Sequence, residues 1–189
     1  HIDAAFGGFI YPFTNTNNPY TFSNQSIDSI SIDAHKMLQA PYGTGVFMIR
    51  KGYAENVLTE EATYIQGMDR TICGSRSGAN VIAVWMILNA YGEKGIKEKM
   101  KSLIDKTNFL ADSLKDMGIS FYRNKYMNII AIKSKDISMD ICTKYGLVPD
   151  THNGKPEWWK IVVMDHIKWN IIEEFKEDMT EYSSILFNE

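Results

Sequence analysis

The chain of 189 residues is 44% hydrophobic and 12% aromatic, so it can bury the core of one or two domains and is not expected to be disordered. Its formal net charge of -3 comes from interspersed acidic and basic residues, which predicts neither a nucleic-acid-binding stripe nor a polybasic membrane patch and favours a small-molecule partner. Cys73 and Cys142 lack the spacing of a disulfide framework or a zinc site, and no stretch resembles a membrane span or an export leader, so we expect a reducing, cytoplasmic setting and no metal.

The first predicted element is the end of a short strand in residues 1–9, and we interpret the chain as a fragment whose first strand begins upstream. Asp3 lies in this segment, and Ala5 lies on the same face as Asp3 if the segment is extended. Residues 11–26 are rich in Asn, Thr, Ser and Pro, which hydrogen-bond locally and break regular structure. They predict a loop.

A lysine follows the next predicted strand. Isoleucines lead into this stretch while Pro41 and Gly43 interrupt the chain behind it, so Lys36 is predicted at a strand-to-turn edge. A lysine in such a position is the residue type that forms a Schiff base with a carbonyl compound, most commonly pyridoxal phosphate, and His35 is a candidate cationic neighbour. A solvated loop is the alternative interpretation of this His-Lys pair.

The segment around Asp3 favours the pyridoxal phosphate interpretation of Lys36. A pyridoxal enzyme needs a carboxylate that pairs with the pyridine nitrogen, because the protonated ring is the better electron sink. It also needs a small residue on which the ring can lie flat. Asp3 and Ala5 supply these two residue types.

The middle of the chain predicts a strand at 46–50 and a polar connection at 51–67, followed by a loop that leads into a helix at 79–91. The helix is apolar on most sides and is predicted to be buried. The loop at 74–78, Gly-Ser-Arg-Ser-Gly, has two interpretations: backbone amides and a guanidinium at a helix start can bind a phosphate or carboxylate, or the loop can simply cap the helix.

The remainder of the chain predicts a long amphipathic helix that ends at Gly118, followed by a small α+β domain. Its predicted elements are strands at 119–122, 128–132 and 158–164 and helices at 138–145 and 171–186. His152 and His166 are predicted to be structural loop residues rather than catalysts.

Four separated segments resemble one enzyme family. They are HIDAAFGGF at 1–9, SISIDAHKMLQAPYGTGVFMIRK at 29–51, TICGSRSGA at 71–79 and KIVVMDHI at 160–167. Together they resemble the group II pyridoxal-phosphate-dependent amino-acid decarboxylases, most of all the archaeal-type tyrosine/aspartate decarboxylases. The stretch 64–78 is also similar to histidine and serine decarboxylases, and sphingosine-phosphate lyase is a more distant relative.

The resemblance implies an α/β fold of the aminotransferase-like fold type I. Residues 1–91 would be the C-terminal part of the large domain that binds pyridoxal 5'-phosphate, and residues 92–189 would be the small α+β C-terminal domain. Such enzymes are homodimers.

The resemblance also implies the roles of the cofactor-binding residues. Lys36 would bind the cofactor through a Schiff base, Asp3 would pair with the ring nitrogen and Ala5 would pack on the ring. Asp33 and His35 would line the phosphate side.

Two further residues receive roles from the resemblance. Tyr64 matches the mobile-loop tyrosine that would protonate the carbanion after carbon dioxide leaves. Ser75 would reach the site of the neighbouring subunit.

The chain departs from the family in one respect. The N-terminal half of relatives, which carries the residue stacked on the ring and the phosphate cup, is missing, so either a longer polypeptide or a complementary chain is expected to supply it. The predicted activity is decarboxylation of an L-amino acid, with the tyrosine or aspartate class favoured. The alternatives are a histidine or serine decarboxylase, a carbon-carbon lyase of phosphorylated amino alcohols, an oxidative deaminase and a non-catalytic dimerisation module.

Overall fold

The computed structural model describes residues 1–57 and 75–186, and its secondary structure is mixed α/β. Tyr64 lies outside the described residues. The chain divides into two units, unit 1 at residues 1–94 and unit 2 at residues 95–189. No helix in the described part of the chain is both long and apolar enough to cross a membrane.

Unit 1 is built on a three-stranded sheet in the order β1-β2-β3. Its strands are β1 (Ile2–Asp3), β2 (Ser29–Asp33) and β3 (Gly45–Ile49). β1 and β2 are parallel, with Asp3 opposite Ser31, whereas β2 and β3 are antiparallel, with Asp33 opposite Gly45. The carboxyl ends of β1 and β2 therefore lie at the same edge of the sheet.

The segment between β1 and β2 contains more helix than the sequence predicted. A short 3-10 turn, Gly7–Phe9, leads into α1 (Tyr11–Thr14), so the prediction of a loop is wrong for residues 11–14. A proline in the first helical turn explains the difference, because its missing N–H is not needed there and its fixed φ suits a helix. Gly8 is required nearby, since a Cβ at this position would lie 2.7 Å from Ile32.

The long helix α2 (Gly78–Asp116) is two helices merged at Gly92, whose φ of 59° and ψ of -177° are not helical. The sequence correctly predicted that Gly92 ends the first of these helices. This first helix is not buried within the described chain. Six of its large apolar side chains are exposed, namely Val81, Ile82, Trp85, Met86, Leu88 and Tyr91.

Unit 2 combines the second part of α2 with an antiparallel sheet in the order β4-β5-β7-β6. Its other elements are β4 (Phe121–Arg123), β5 (Ile129–Lys133), α3 (Met139–Lys144), β6 (Val148–Pro149), β7 (Trp158–Val162) and α4 (Trp169–Leu186). Ser138 caps α3 by accepting a hydrogen bond from the backbone N–H of Ile141, as a serine at this position commonly does. The two-residue strand β6 was not predicted.

The core of unit 2 lies between its sheet and its helices. Alternate residues of β5 are fully buried, and they pack with apolar residues of α2 and α4. The core includes Leu110, Leu114, Ile130, Ile132, Val163, Phe175 and Met179. Asn128 connects β5 to the end of β7, because its side-chain amide donates to the carbonyl of Val163 at 2.8 Å.

Candidate active site

Two carboxylates lie at the carboxyl ends of the parallel strands of unit 1. Asp3 is the last residue of β1, and Asp33 is the last residue of β2. The backbone ties the two ends together, since Ala4 N–H donates to the carbonyl of Ser31 and Asp33 N–H donates to the carbonyl of Ala5. In open α/β sheets, ligands bind outside the carboxyl ends of the strands.

The arrangement of Asp3 and Ala5 differs from the extended segment that the sequence predicted. The strand ends at Asp3, and Ala5 lies in the following turn. The backbone N–H of Ala5 donates to Oδ1 of Asp3 at 3.0 Å, which is a local turn that aspartate favours. The two residues are therefore adjacent through a hydrogen bond rather than by sharing one face of a strand.

Lys36 lies in the turn that follows β2, as the sequence predicted. The turn is closed by backbone hydrogen bonds from Ala34 N–H to the carbonyl of Thr44 and from Ala40 N–H to the carbonyl of Ala34. Its apolar residues Met37 and Leu38 are buried, so they anchor the turn to the rest of unit 1. The lysine itself stays accessible, with 39% of its side chain exposed.

The Asp33 carboxylate lies beside two basic side chains of this turn, Lys36 and His35. Its Oδ2 lies 2.8 Å from Nζ of Lys36 and 3.8 Å from Nε2 of His35. The His35 ring packs on Tyr42 with the ring centroids 5.2 Å apart. Nδ1 of His35 is buried and has no hydrogen-bond partner among the described residues.

These residues fit pyridoxal phosphate by the chemistry of their groups. Lys36 offers an accessible amine for the aldehyde, and the carboxylate of Asp3 is of the type that holds a protonated pyridine nitrogen. The buried Nδ1 of His35 has hydrogen-bonding capacity that a phosphate oxygen can satisfy.

The structure brings together Asp3, Ala5, Asp33, His35 and Lys36. Ser75, predicted to reach the site of the neighbouring subunit, is exposed just before α2. Tyr42 was not singled out from the sequence, although its contact with His35 places it at the site. The only available signal was its position in the Pro-Tyr-Gly turn that closes the lysine segment.

Unit 2 contains the titratable groups with the clearest pKa shifts, and these groups are structural. Burial raises the pKa of the Cys142 thiol to about 11, so this cysteine is not an activated nucleophile. Burial and a hydrogen bond to Asp178 raise the pKa of Tyr145 to about 12. Lys144 pairs with Asp178 at 2.7 Å and with Glu174 at 2.9 Å, which ties α3 to α4.

No group of three or more His, Cys, Asp or Glu side chains in the described ranges could hold a metal ion.

The chain is similar in sequence to amino-acid decarboxylases. A tryptophan decarboxylase of Clostridium sporogenes is 46% identical over 183 residues, which cover 97% of this chain and 44% of that protein. A probable L-tyrosine/L-aspartate decarboxylase of Methanosphaera stadtmanae is 33% identical, with 95% of this chain and 48% of that protein covered. The chain thus spans about half the length of these curated relatives.

Solved structures with the same fold are pyridoxal-phosphate-dependent enzymes of fold type I. A sphingosine-1-phosphate lyase of Burkholderia pseudomallei matches with a TM-score of 0.80 and 18% identity, covering 97% of this chain and 44% of that one. A glutamate decarboxylase of Lactobacillus brevis matches with a TM-score of 0.78 and 23% identity, covering 98% and 46%. At these identities the likeness concerns the fold alone.

The family model described as "Pyridoxal-dependent decarboxylase conserved domain" matches residues 1–131. This range contains the whole of the Lys36 turn and both strands that lead to the carboxylates. The chain therefore belongs to the pyridoxal-dependent decarboxylase family, whose cofactor is pyridoxal 5'-phosphate.

Proposed function

We propose that the protein containing this chain decarboxylates an L-amino acid to the corresponding amine with the help of pyridoxal phosphate. The observation that carries the proposal is the placement of Lys36 on an anchored turn beside the carboxyl ends of two parallel strands, with Asp3 at the neighbouring strand end. When bound, the cofactor supplies an electron sink for the electron pair released as carbon dioxide leaves.

The chain's own residues have distinct tasks in this proposal. Lys36 would hold the cofactor covalently through its amine. Asp3 would keep the ring nitrogen protonated, Ala5 would pack on the ring, and Nδ1 of His35 would hydrogen-bond the phosphate. Tyr64 is proposed to deliver the proton that completes the amine.

For the substrate we propose an aromatic L-amino acid, tryptophan or tyrosine. The sequence analysis favoured the tyrosine or aspartate class, and the 46% identity to a tryptophan decarboxylase supports the aromatic side of that choice. Incubation of the full-length protein with tryptophan, tyrosine, aspartate, histidine and serine, followed by chromatography of the amines, tests it. Tryptamine or tyramine is expected in the wild type and neither in Lys36→Ala. Release of β-alanine alone would overturn the aromatic assignment.

Carbon-carbon lysis is the second candidate, because a sphingosine-1-phosphate lyase shares the fold with a TM-score of 0.80. The products separate the two reactions. A lyase releases an aldehyde and a phosphorylated amine from an amino alcohol and no carbon dioxide. An oxidative deaminase also yields an aldehyde, but it consumes oxygen.

We further propose that the exposed apolar face of the first helix of α2 is covered in the assembled protein. Val81, Ile82 and Trp85 recur at helical spacing, and 63% of Trp85 is exposed. The cover is a second copy of the protein, in line with the predicted homodimer in which Ser75 reaches the neighbouring site.

The Arg76→Ala variant tests the homodimer. Arg76 is exposed just before this helix, in the loop at 74–78 whose amides and guanidinium could bind a phosphate of the neighbouring subunit's site. At a shared site, loss of Arg76 weakens cofactor retention and self-association together, and sedimentation with and without pyridoxal phosphate measures both. An unchanged dimer that keeps its cofactor would leave Arg76 with a capping role and a stability effect of about 1 kcal/mol or less.

A further inference from the structure

The Asp33 carboxylate has a contact that the proposed function does not use. Its Oδ2 lies 2.8 Å from Nζ of Lys36, while the backbone fixes Asp33 on both sides. Asp33 N–H donates to the carbonyl of Ala5, and Lys36 N–H donates to the carbonyl of Asp33. The carboxylate is therefore held beside the amine by the fold and not only by the attraction between the two charges.

A carboxylate in this position is costly if its only neighbour is a phosphate, because like charges repel. The other titratable groups near this turn are His35, whose ring packs on Tyr42, and Asp3 at the end of β1. His35 Nε2 is 3.8 Å from the carboxylate, a full ångström farther away than Lys36 Nζ. The ammonium of Lys36 is thus the principal partner of Asp33.

This pairing bears directly on reactivity. An ammonium group has three N–H donors and no lone pair, so it cannot attack a carbonyl carbon. Oδ2 of Asp33, 2.8 Å from Nζ, accepts from this ammonium group and holds it in place. Lys36 must leave the ion pair before it can form a covalent bond.

We propose that Asp33 is the resting partner of Lys36, holding its ammonium whenever this lysine is not bonded to the cofactor. The inference rests on the proposed function. When Lys36 bonds, its ammonium first gives one proton to solvent, the free amine then forms the C=N bond to the aldehyde carbon, and the aldehyde oxygen leaves as water with the two remaining amine hydrogens. When the substrate amine takes over that carbon, its two hydrogens pass to Nζ, which takes up a third proton from solvent and returns to Asp33 as an ammonium. Asp33 is thus a positioning residue that acts through Lys36.

The test compares the rates at which cofactor-free, full-length protein captures pyridoxal phosphate and pyridoxal, which lacks the phosphate. Capture is followed by visible absorbance, and borohydride reduction with peptide mass analysis identifies Lys36 as the bonded residue. Asp33→Asn is expected to capture both aldehydes about two- to fivefold faster at neutral pH. The effect is small because the ion pair that is lost is partly exposed to solvent. Asp33→Glu restores the slower rate, and Asp28→Asn, the same change at an exposed position before β2, leaves it unaltered.

Two outcomes of this test overturn the inference. If only pyridoxal phosphate is captured faster, Asp33 acts by repelling the phosphate and not through Lys36. If neither rate changes, the ion pair does not limit the lysine. Failure of the proposed function looks different: the wild type then captures neither aldehyde at Lys36.

A measurement on the wild type decides the inference even if the variants do not fold or no aldehyde is captured. A neutral acetylating reagent is applied at about 20 mM and about 0.5 M salt, and acetylation of Lys36 is compared with that of the exposed Lys51. Because salt screens a half-exposed ion pair, the Lys36/Lys51 ratio is expected to rise by about twofold. A ratio independent of salt overturns the inference.

Discussion

The two units of this chain differ in how they bury the apolar side chains of their helices. Unit 2 closes a hydrophobic core between its sheet and helices, with Leu114 and Ile130 fully buried. Unit 1 contains the candidate active site, yet its helical segment exposes Val81 and Trp85. Exposed apolar side chains at helical spacing mark an interaction surface. The comparison places the candidate site in unit 1 and the buried hydrophobic cluster in unit 2.

The largest expected effect comes from Lys36→Ala in unit 1. We expect the visible absorbance of bound cofactor and the turnover to disappear, because no other group forms the covalent bond at this position. The free energy of unfolding of unit 2 should not change. Absorbance spectra, product analysis and denaturant unfolding of the full-length variant measure the three quantities, with Lys51→Ala as the exposed control. Undiminished decarboxylation would remove Lys36 from the site.

Asp3→Asn is expected to separate chemistry from stability within unit 1. The amide oxygen of asparagine can still accept the hydrogen bond from Ala5 N–H, so the turn is kept while the negative charge is lost. Turnover should fall by about 100- to 1000-fold, as for other preorganised electrostatic contacts. The free energy of unfolding should change by no more than about 0.5 kcal/mol. Steady-state kinetics and urea unfolding test this, and near-normal turnover would mean that Asp3 does not face the ring nitrogen.

A matched pair of substitutions in α2 tests the difference in packing directly. Leu114 is 0% exposed in unit 2, whereas Leu88 is 37% exposed in unit 1. Leu114→Ala should lower the free energy of unfolding by about 2–5 kcal/mol, because it leaves a cavity. Leu88→Ala should cost less than about 1 kcal/mol in this chain.

The same pair sharpens the comparison in the full-length protein. If a second copy of the protein covers the first helix of α2, the cost of Leu88→Ala rises there toward that of Leu114→Ala. If Leu88→Ala and Leu114→Ala lower the free energy of unfolding equally in the isolated chain, the two positions do not differ in burial and the contrast between the units is wrong.

The smallest expected effect is an alkaline loss of stability in unit 2. The hydroxyl of Tyr145 donates to Asp178 at 2.7 Å, and burial and this bond raise its pKa to about 12 from an unfolded value of about 10. Because the folded state binds this proton more tightly, the contribution is complete below about pH 10 and is lost as pH rises from about 10 to 12. It should amount to about 1 kcal/mol or less, since the group is partly exposed.

Thermal unfolding between about pH 9 and pH 12, for the wild type and Tyr145→Phe, measures this contribution. The difference in melting temperature between the two proteins should shrink across the interval. Tyr122→Phe is a suitable control, because Tyr122 is exposed on the edge strand β4. A constant difference would show that the Tyr145–Asp178 bond does not stabilise the fold.

The sequence was most informative where a local signal coincided with the tertiary fold. Apolar spacing predicted the strand before Lys36 and the closing helix, because the residues of one face recur at the period of the element. Glycine predicted the ends of helices, as at Gly92 and Gly118, since both adopt the positive φ that other residues avoid. The two-residue strand β6 was missed, because so short a pairing leaves no periodicity to detect.

Tertiary contacts decided features that no local pattern contains. The segment with Asp3 and Ala5 is apolar and small enough to be extended, but its pairing with β2 ends at Asp3, where a side-chain hydrogen bond turns the chain. The helix that begins at Gly78 is apolar enough to be buried, yet burial needs a neighbouring surface, which the described chain does not supply.

The sequence by itself determined the residue types of the site and their order: a carboxylate and a small residue near the start, then a lysine after the second strand. Only the tertiary structure decided that Asp3 and Asp33 end neighbouring parallel strands and that Asp33 pairs with Lys36 rather than facing solvent. The reason is physical. Residue chemistry is carried by each side chain alone, whereas neighbouring strand ends depend on strand register and the 2.8 Å ion pair depends on a turn closed by backbone hydrogen bonds.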